Sequence, residues 1–151
     1  GGDVCQFDEN LNAWEAADLR TWMNEEVENT EGMVLAETTI SSTYAGKSSN
    51  YQISEKKFTK RNRQGQKIED QLFCLSLDKA LRYANYLWKL DGAATDNFTL
   101  AGSHAMGYWL RTPAARGDHL AYAVTYDGLV SPQEVDNERI GIRPAFVAAQ
   151  E

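Results

Sequence analysis

The sequence predicts an α+β domain in which two amphipathic helices pack on a small, mostly antiparallel sheet with long loops. Apolar residues recur twice at helical spacing: Leu19, Trp22, Met23 and Val27, then Leu77, Ala80, Leu81, Ala84, Leu87 and Trp88. Between Gly107 and Phe146, three apolar pieces with strand character alternate with two polar segments. The chain has 151 residues, 42% apolar and 25% charged. That suits one folded domain over residues 1–151 with a sizeable core.

Residues 1–13 are polar and read as irregular. The first helical pattern spans Trp14 to Val27 and breaks at Asn29-Thr30-Glu31-Gly32. Met33 to Ile40 fits either a helical turn or a strand, and its Thr-Thr-Ile end favours extension. Residues 41–50 read as loop, and 51–71 as a polar segment with weak alternation. Six basic residues and no acid lie within 56–67. A solvated hairpin or insertion explains them better than a finger for an acidic partner.

Gln71 to Leu75 reads as a short buried strand. Ser76 is placed to cap the second helix, Asp78 complements its N-terminal dipole, and Asp91-Gly92 ends it. Residues 92–106 read as loop. Tyr108 and Leu110 fall on one face of the next strand, Trp109 and Arg111 on the other, and Thr112-Pro113 stops it. Tyr122 to Tyr126 is a strand, turned by Asp127-Gly128 into Leu129-Val130. Ile140 and Ile142 then alternate with Gly141 and Arg143 before Pro144.

The formal charge of −7 argues against sequence-independent nucleic-acid binding and against adsorption to an anionic membrane. No apolar run reaches the ~20 residues that span a bilayer. Cys5 and Cys74 allow one disulfide or two reduced thiols. No His-Glu-x-x-His, Cys-x-x-Cys or paired-His spacing is present, and His104 and His119 lie in separate loops. Asp91, Asp96, Asp127, Asp136 and Glu138 supply loop oxygens without EF-hand spacing. The expectation is therefore no cofactor, with calcium the one metal left open. Ser103-His104 lacks the strand-elbow-helix setting of a nucleophile, so no catalytic residue is nominated. Arg111 and Arg143 sit among apolar strand residues. They read as fold-locking guanidinium groups, bonded to acids or carbonyls and stacked on Trp109 or Trp22, and less well as an anion-binding pair. Loss of Arg143 is then expected to cost ~3–5 kcal/mol.

Four motifs in order resemble an uncharacterised family from Gram-positive, often gut-dwelling, bacteria. They are Trp14 with Asp18 to Asn24, Asp70 to Ala84, Trp109-Leu110-Arg111-Thr112-Pro113, and Gly141-Ile142-Arg143-Pro144-Ala145-Phe146. Ala17 stands where that pattern has a Ser cap. The family resembles C-type-lectin-like domains of the formylglycine-generating-enzyme type. Some members are similar to the variable proteins of diversity-generating retroelements.

The resemblance implies a C-type-lectin-like fold. It also implies a non-enzymatic display module, on a bacterial cell surface, outside the cell or on a phage particle, that binds a protein or glycan through two loops. Those loops would be Ala114 to Leu120 and Ser131 to Arg139. The residues nominated as ligand contacts are Ala114, Ala115, Arg116, Asp118, His119, Ser131, Gln133, Glu134, Asp136, Asn137 and Glu138. Tyr108, Tyr122 and Tyr126 are nominated as exposed aromatic contacts. No cysteine follows Cys74, which counts against formylglycine-generating chemistry, the second reading. Family members begin with a β-hairpin that residues 1–13 do not supply. A third reading is therefore an accessory domain whose sheet a neighbouring chain completes.

Overall fold

A four-stranded antiparallel sheet, with a helix against each face, organises the chain. The computed structural model describes residues 6–26, 35–46, 49–52, 55, 58–83, 107–115, 117–125 and 129–147. The sheet has the order β3-β8-β7-β6, formed by Tyr51–Gln52 (β3), Tyr108–Pro113 (β6), Leu120–Val124 (β7) and Leu129–Glu134 (β8). Side chains alternate across it as a pleated strand requires. Trp109, Ala121 and Ala123 join Phe7, Trp14, Leu19 and Met23 in one core. Tyr108, Leu110, Tyr122, Val124 and Val130 join Leu77, Ala80 and Leu81 in the other. The fold is α+β, as the periodicities predict.

The first helical pattern divides in two. A 3-10 turn, Trp14–Ala16, is followed by α1, Asp18–Glu26, with Ala17 extended between them. Ala17 has no side-chain oxygen to cap α1. Asp8 supplies one instead: its Oδ1 accepts from Asp18 N at 3.0 Å, and its Oδ2 accepts from Asn10 N and Leu11 N. The N-terminal segment is irregular, as expected, but it is not peripheral. Phe7 is fully buried and packs edge-on against Trp109, with ring centroids 5.5 Å apart. The second helix, α2, covers Leu77–Arg82, and Ser76 Oγ accepts from Lys79 N at 3.2 Å as predicted. Its predicted continuation to Trp88 and the stop at Asp91-Gly92 lie outside the described residues, as does the loop 92–106.

Residues 38–70 form a feature that composition hid. Thr38–Ile40 (β1) pairs antiparallel with Ile68–Asp70 (β5), and Thr43–Ala45 (β2) with Lys60–Gln64 (β4). Gly65 N donates to Ser42 O between the two pairs, so both read as one antiparallel ribbon. The predicted loop over 41–50 is corrected at β2, where Thr43 and Tyr44 have strand propensity. All five residues of β4 are exposed, so this part of the basic run lies on a solvated edge.

Three further boundaries move. Gln71 to Leu75 is not a strand: the chain bends, and Phe73 alone bridges Ala145, with N–O distances of 3.0 and 2.8 Å. β6 runs on through Thr112 and Pro113, with a register shift before Pro113. β6 lies at the sheet edge, where a proline removes no ladder bond. Its outward amides are covered, since Trp109 N donates to Gly141 O and Arg111 N to Leu75 O. β7 starts two residues earlier than predicted and β8 runs four residues further, pairing from Leu120↔Glu134 to Val124↔Val130. The hairpin is as expected, while Asp127-Gly128 lies outside the described residues. Gly107 opens β6 at φ +110°, and a Cβ there would stand 1.6 Å from Val124 O, so only glycine fits.

Candidate functional site

The β7–β8 ladder brings the two predicted loops to the same end of the sheet. Leu120 begins β7 opposite Glu134 at the end of β8. Immediately beyond this pair, Val135 N donates to His119 O at 3.0 Å. The N-terminal segment straps the same corner. Phe7 N and Asp8 N donate to Val135 O, Asn12 N donates to Asp118 O at 2.7 Å, and Asn12 Nδ2 donates to Leu120 O at 2.8 Å. The ribbon reaches it too, where the Arg61 guanidinium donates to Ala115 O. A corner fixed by the ladder, the N-terminal segment and the ribbon presents its exposed side chains in a defined arrangement.

The nominated contacts divide by burial. Asp118, His119, Glu134, Asp136 and Glu138 are exposed, with Arg139 beside them. His119 Nδ1 lies 4.0 Å from Asp118 Oδ1. Gln133 and Asn137 are half-buried and serve the turn itself. Gln133 Nε2 donates to Ser131 Oγ at 2.8 Å, Asn137 N to Glu134 O, and Arg139 N to Asn137 Oδ1. Arg116 and Tyr126 lie outside the described residues.

Five nominations are corrected. Tyr108, Ala114, Ala115, Tyr122 and Ser131 are buried and cannot touch a ligand on the surface. The longer β8 takes in Ser131, and Arg61 of the ribbon bonds to the carbonyl of Ala115. Tyr108 and Tyr122 belong to the α2-side core because even-numbered residues of β6 and β7 face that helix. Tyr122 Oη donates to Ser49 O at 2.8 Å, and burial pushes its phenol well above the ordinary tyrosine value.

The two arginines separate as well. Arg111 is nine-tenths buried; its Nε donates to Ser41 O at 3.0 Å and its Nη1 to Cys74 O at 2.7 Å. It is the fold-locking group expected, but it stacks on Phe73, 5.6 Å from the ring centroid, rather than on Trp109 or Trp22. Burial pushes its guanidinium down to about 10, partly offset by the neighbouring Cys74 and then Asp70. Arg143 is only half-buried and lies over Tyr108 at 5.2 Å. Trp109 is fully buried and Trp22 half-buried against the same core. Cys74 is buried with Sγ 3.9 Å from Met23 Sδ, while Cys5 lies outside the described residues.

Asp8 and Asn12 were not nominated, yet they hold the corner. Asp8 followed by Glu9-Asn10 carries the local signal of an Asx turn. Asn12 gives no sequence signal, because its partners are more than a hundred residues away. Among the described residues no group of three or more His, Cys, Asp or Glu side chains could hold a metal ion, and no helix is long and apolar enough to cross a membrane.

Comparison with curated proteins and with solved structures finds no match. A family model described as a domain of unknown function, DUF6273, matches residues 6–149. The chain belongs to the DUF6273 family.

Proposed function

We propose that the chain is a non-enzymatic ligand-binding module of C-type-lectin-like type. Its binding face is the corner formed by residues 117–119 and 134–139. The observation that carries this reading is the Val135 N to His119 O bond, which joins two polar turns from separate parts of the chain into one exposed surface. Support also comes from the Trp-Arg strand, β6, lying beside the terminal Gly-Ile-Arg segment through the parallel Tyr108–Gly141 bridge. Backbone bonds such as Val135 N to His119 O and Asn137 N to Glu134 O would let the exposed positions 118, 134, 136 and 138 differ in chemistry, while the strands beneath them are committed to packing.

The exposed acids Asp118, Glu134, Asp136 and Glu138 favour a ligand with a cationic or hydrogen-bond-donating surface, a protein patch before an anionic glycan. Display at a cell surface or on a phage particle, with diversification by a retroelement, is the setting we propose for such a face. Arrays of immobilised proteins and glycans test the reading. The wild-type chain should bind a discrete set of them, and the variant D118A/E134A/D136A/E138A should lose those ligands while keeping its melting temperature. Retention of every ligand by that variant would remove the face from consideration.

A further inference from the structure

A second site lies apart from the 117–119 and 134–139 corner. Between the start of β2, the end of β6 and the first turn of α2 there is an open cavity of about 190 Å³. This is smaller than the ~300–1,000 Å³ of pockets that take drug-sized ligands, so it suits one small group. Its lining is cationic. Arg111, Lys60 and Lys79 contribute three positive charges against the single carboxylate of Asp78. Asp78 Oδ2 is itself engaged by Arg82 at 3.3 Å.

Arg111 is the telling residue. Its two hydrogen bonds go to uncharged carbonyls, and among the described residues no carboxylate forms an ion pair with it. A guanidinium this deeply buried is normally neutralised by an acid, because desolvating an unpaired charge is costly. The nearby carboxylate of Asp70 is itself paired with Arg20 at 2.7 Å. Two hydroxyls add donors. Thr112 Oγ1 accepts from Leu77 N at 2.9 Å and Ser76 Oγ accepts from Lys79 N. Each hydroxyl accepts through one lone pair here and keeps its O–H proton to donate. Lys60 and Lys79 are exposed lining residues whose ammonium groups lie 5.7 Å from the ring centroids of Phe58 and Tyr83, and a rotamer change of each flexible side chain would bring its charge to a ligand. The net charge of −7 makes this concentration of cations local, not a property of the whole surface.

We infer that this cavity is a binding site for a compact divalent oxyanion, a sulfate or phosphate group, held by Arg111 at the wall, Lys60 and Lys79 at the mouth, and the hydroxyls of Ser76 and Thr112. Sulfate and phosphate share the tetrahedral, multiply charged form that three cations and two hydroxyl donors recognise. A carboxylate group offers fewer acceptor atoms and half the charge.

The test is an NMR titration of the full chain with inorganic sulfate and, separately, inorganic phosphate, at constant ionic strength in chloride. The amides of Ser76 and Thr112 should shift saturably, and the tighter of the two ions identifies the group. K60A/K79A alters only exposed side chains, so it should keep the wild-type melting temperature and weaken Kd by about tenfold or more. Absence of saturable shifts at Ser76 and Thr112 would overturn the site. So would a Kd unchanged in K60A/K79A, which would mean an adventitious ion only.

Discussion

The Trp14 indole donates to Asp70 Oδ2 at 2.8 Å, across 56 positions of sequence. The other oxygen of the same carboxylate accepts from Arg20 Nε at 2.7 Å. Asp70 is almost fully buried, and the adjoining turn is held by Asn24, whose Oδ1 accepts from Gln71 N and Leu72 N and whose Nδ2 donates to Leu72 O. Arg20 and Asn24 lie one turn apart on α1, and together with Trp14 from the preceding 3-10 turn they dock this segment on the end of β5. Asp70→Ala strands a buried indole N–H and a partly buried guanidinium. We expect a loss of about 3 kcal/mol in urea denaturation, with Asp70→Asn losing less because it keeps an acceptor for Trp14. Equal losses for the two variants would show that the charge, and not the acceptor, dominates.

Gly107→Ala places a methyl 1.6 Å from Val124 O in a backbone region that L-residues avoid. The first residue of β6 and its partner would have to separate, so a destabilisation above about 3 kcal/mol is expected. A thermal melt within a degree or two of wild type would contradict the position of that glycine.

Arg111 and Arg143 are alike in sequence setting and unlike in structure. Arg111→Met removes two charge-assisted bonds to Ser41 O and Cys74 O, and should cost about 2–4 kcal/mol. Arg143→Met, at a half-exposed site over Tyr108, should cost less than Arg111→Met. Chemical denaturation of the pair measures the difference, and the reverse order would refute it.

Burial raises the phenols of both Tyr51 and Tyr122 above their ordinary value of 10.0. The folded state therefore holds these protons more tightly than the unfolded chain. Their contribution to stability is complete below pH 10 and is lost as pH climbs through the raised folded values. Spectrophotometric titration should show Tyr51 and Tyr122 ionising only as the chain unfolds. Y51F/Y122F should flatten the alkaline decline, and an unchanged decline would place its cause elsewhere.

Legibility followed the range of the interactions. Ser76 as a cap, the α2 face of Leu77, Ala80 and Leu81, and the alternation of Tyr108 and Trp109 are local patterns, and each was readable. The ribbon was not: its strands are short and polar, and pairing such as Thr38↔Asp70 is fixed by the docking of Asp70 under Trp14 and Arg20. The candidate face was half readable. Polar residues nominated Asp118, Glu134 and Asp136 correctly as exposed, but tyrosines have both surface and core uses. Only the register of β7 with β8 shows that Tyr122 points to the α2-side core. The cationic cavity joins four separate segments, so no linear motif announces it.

Hydrogen exchange of the chain with and without a ligand selected from the arrays tests the binding face most directly. Protection should rise at residues 117–119 and 134–139 and leave α1 and β5 unchanged. Protection that avoids both turns and falls elsewhere would contradict the account.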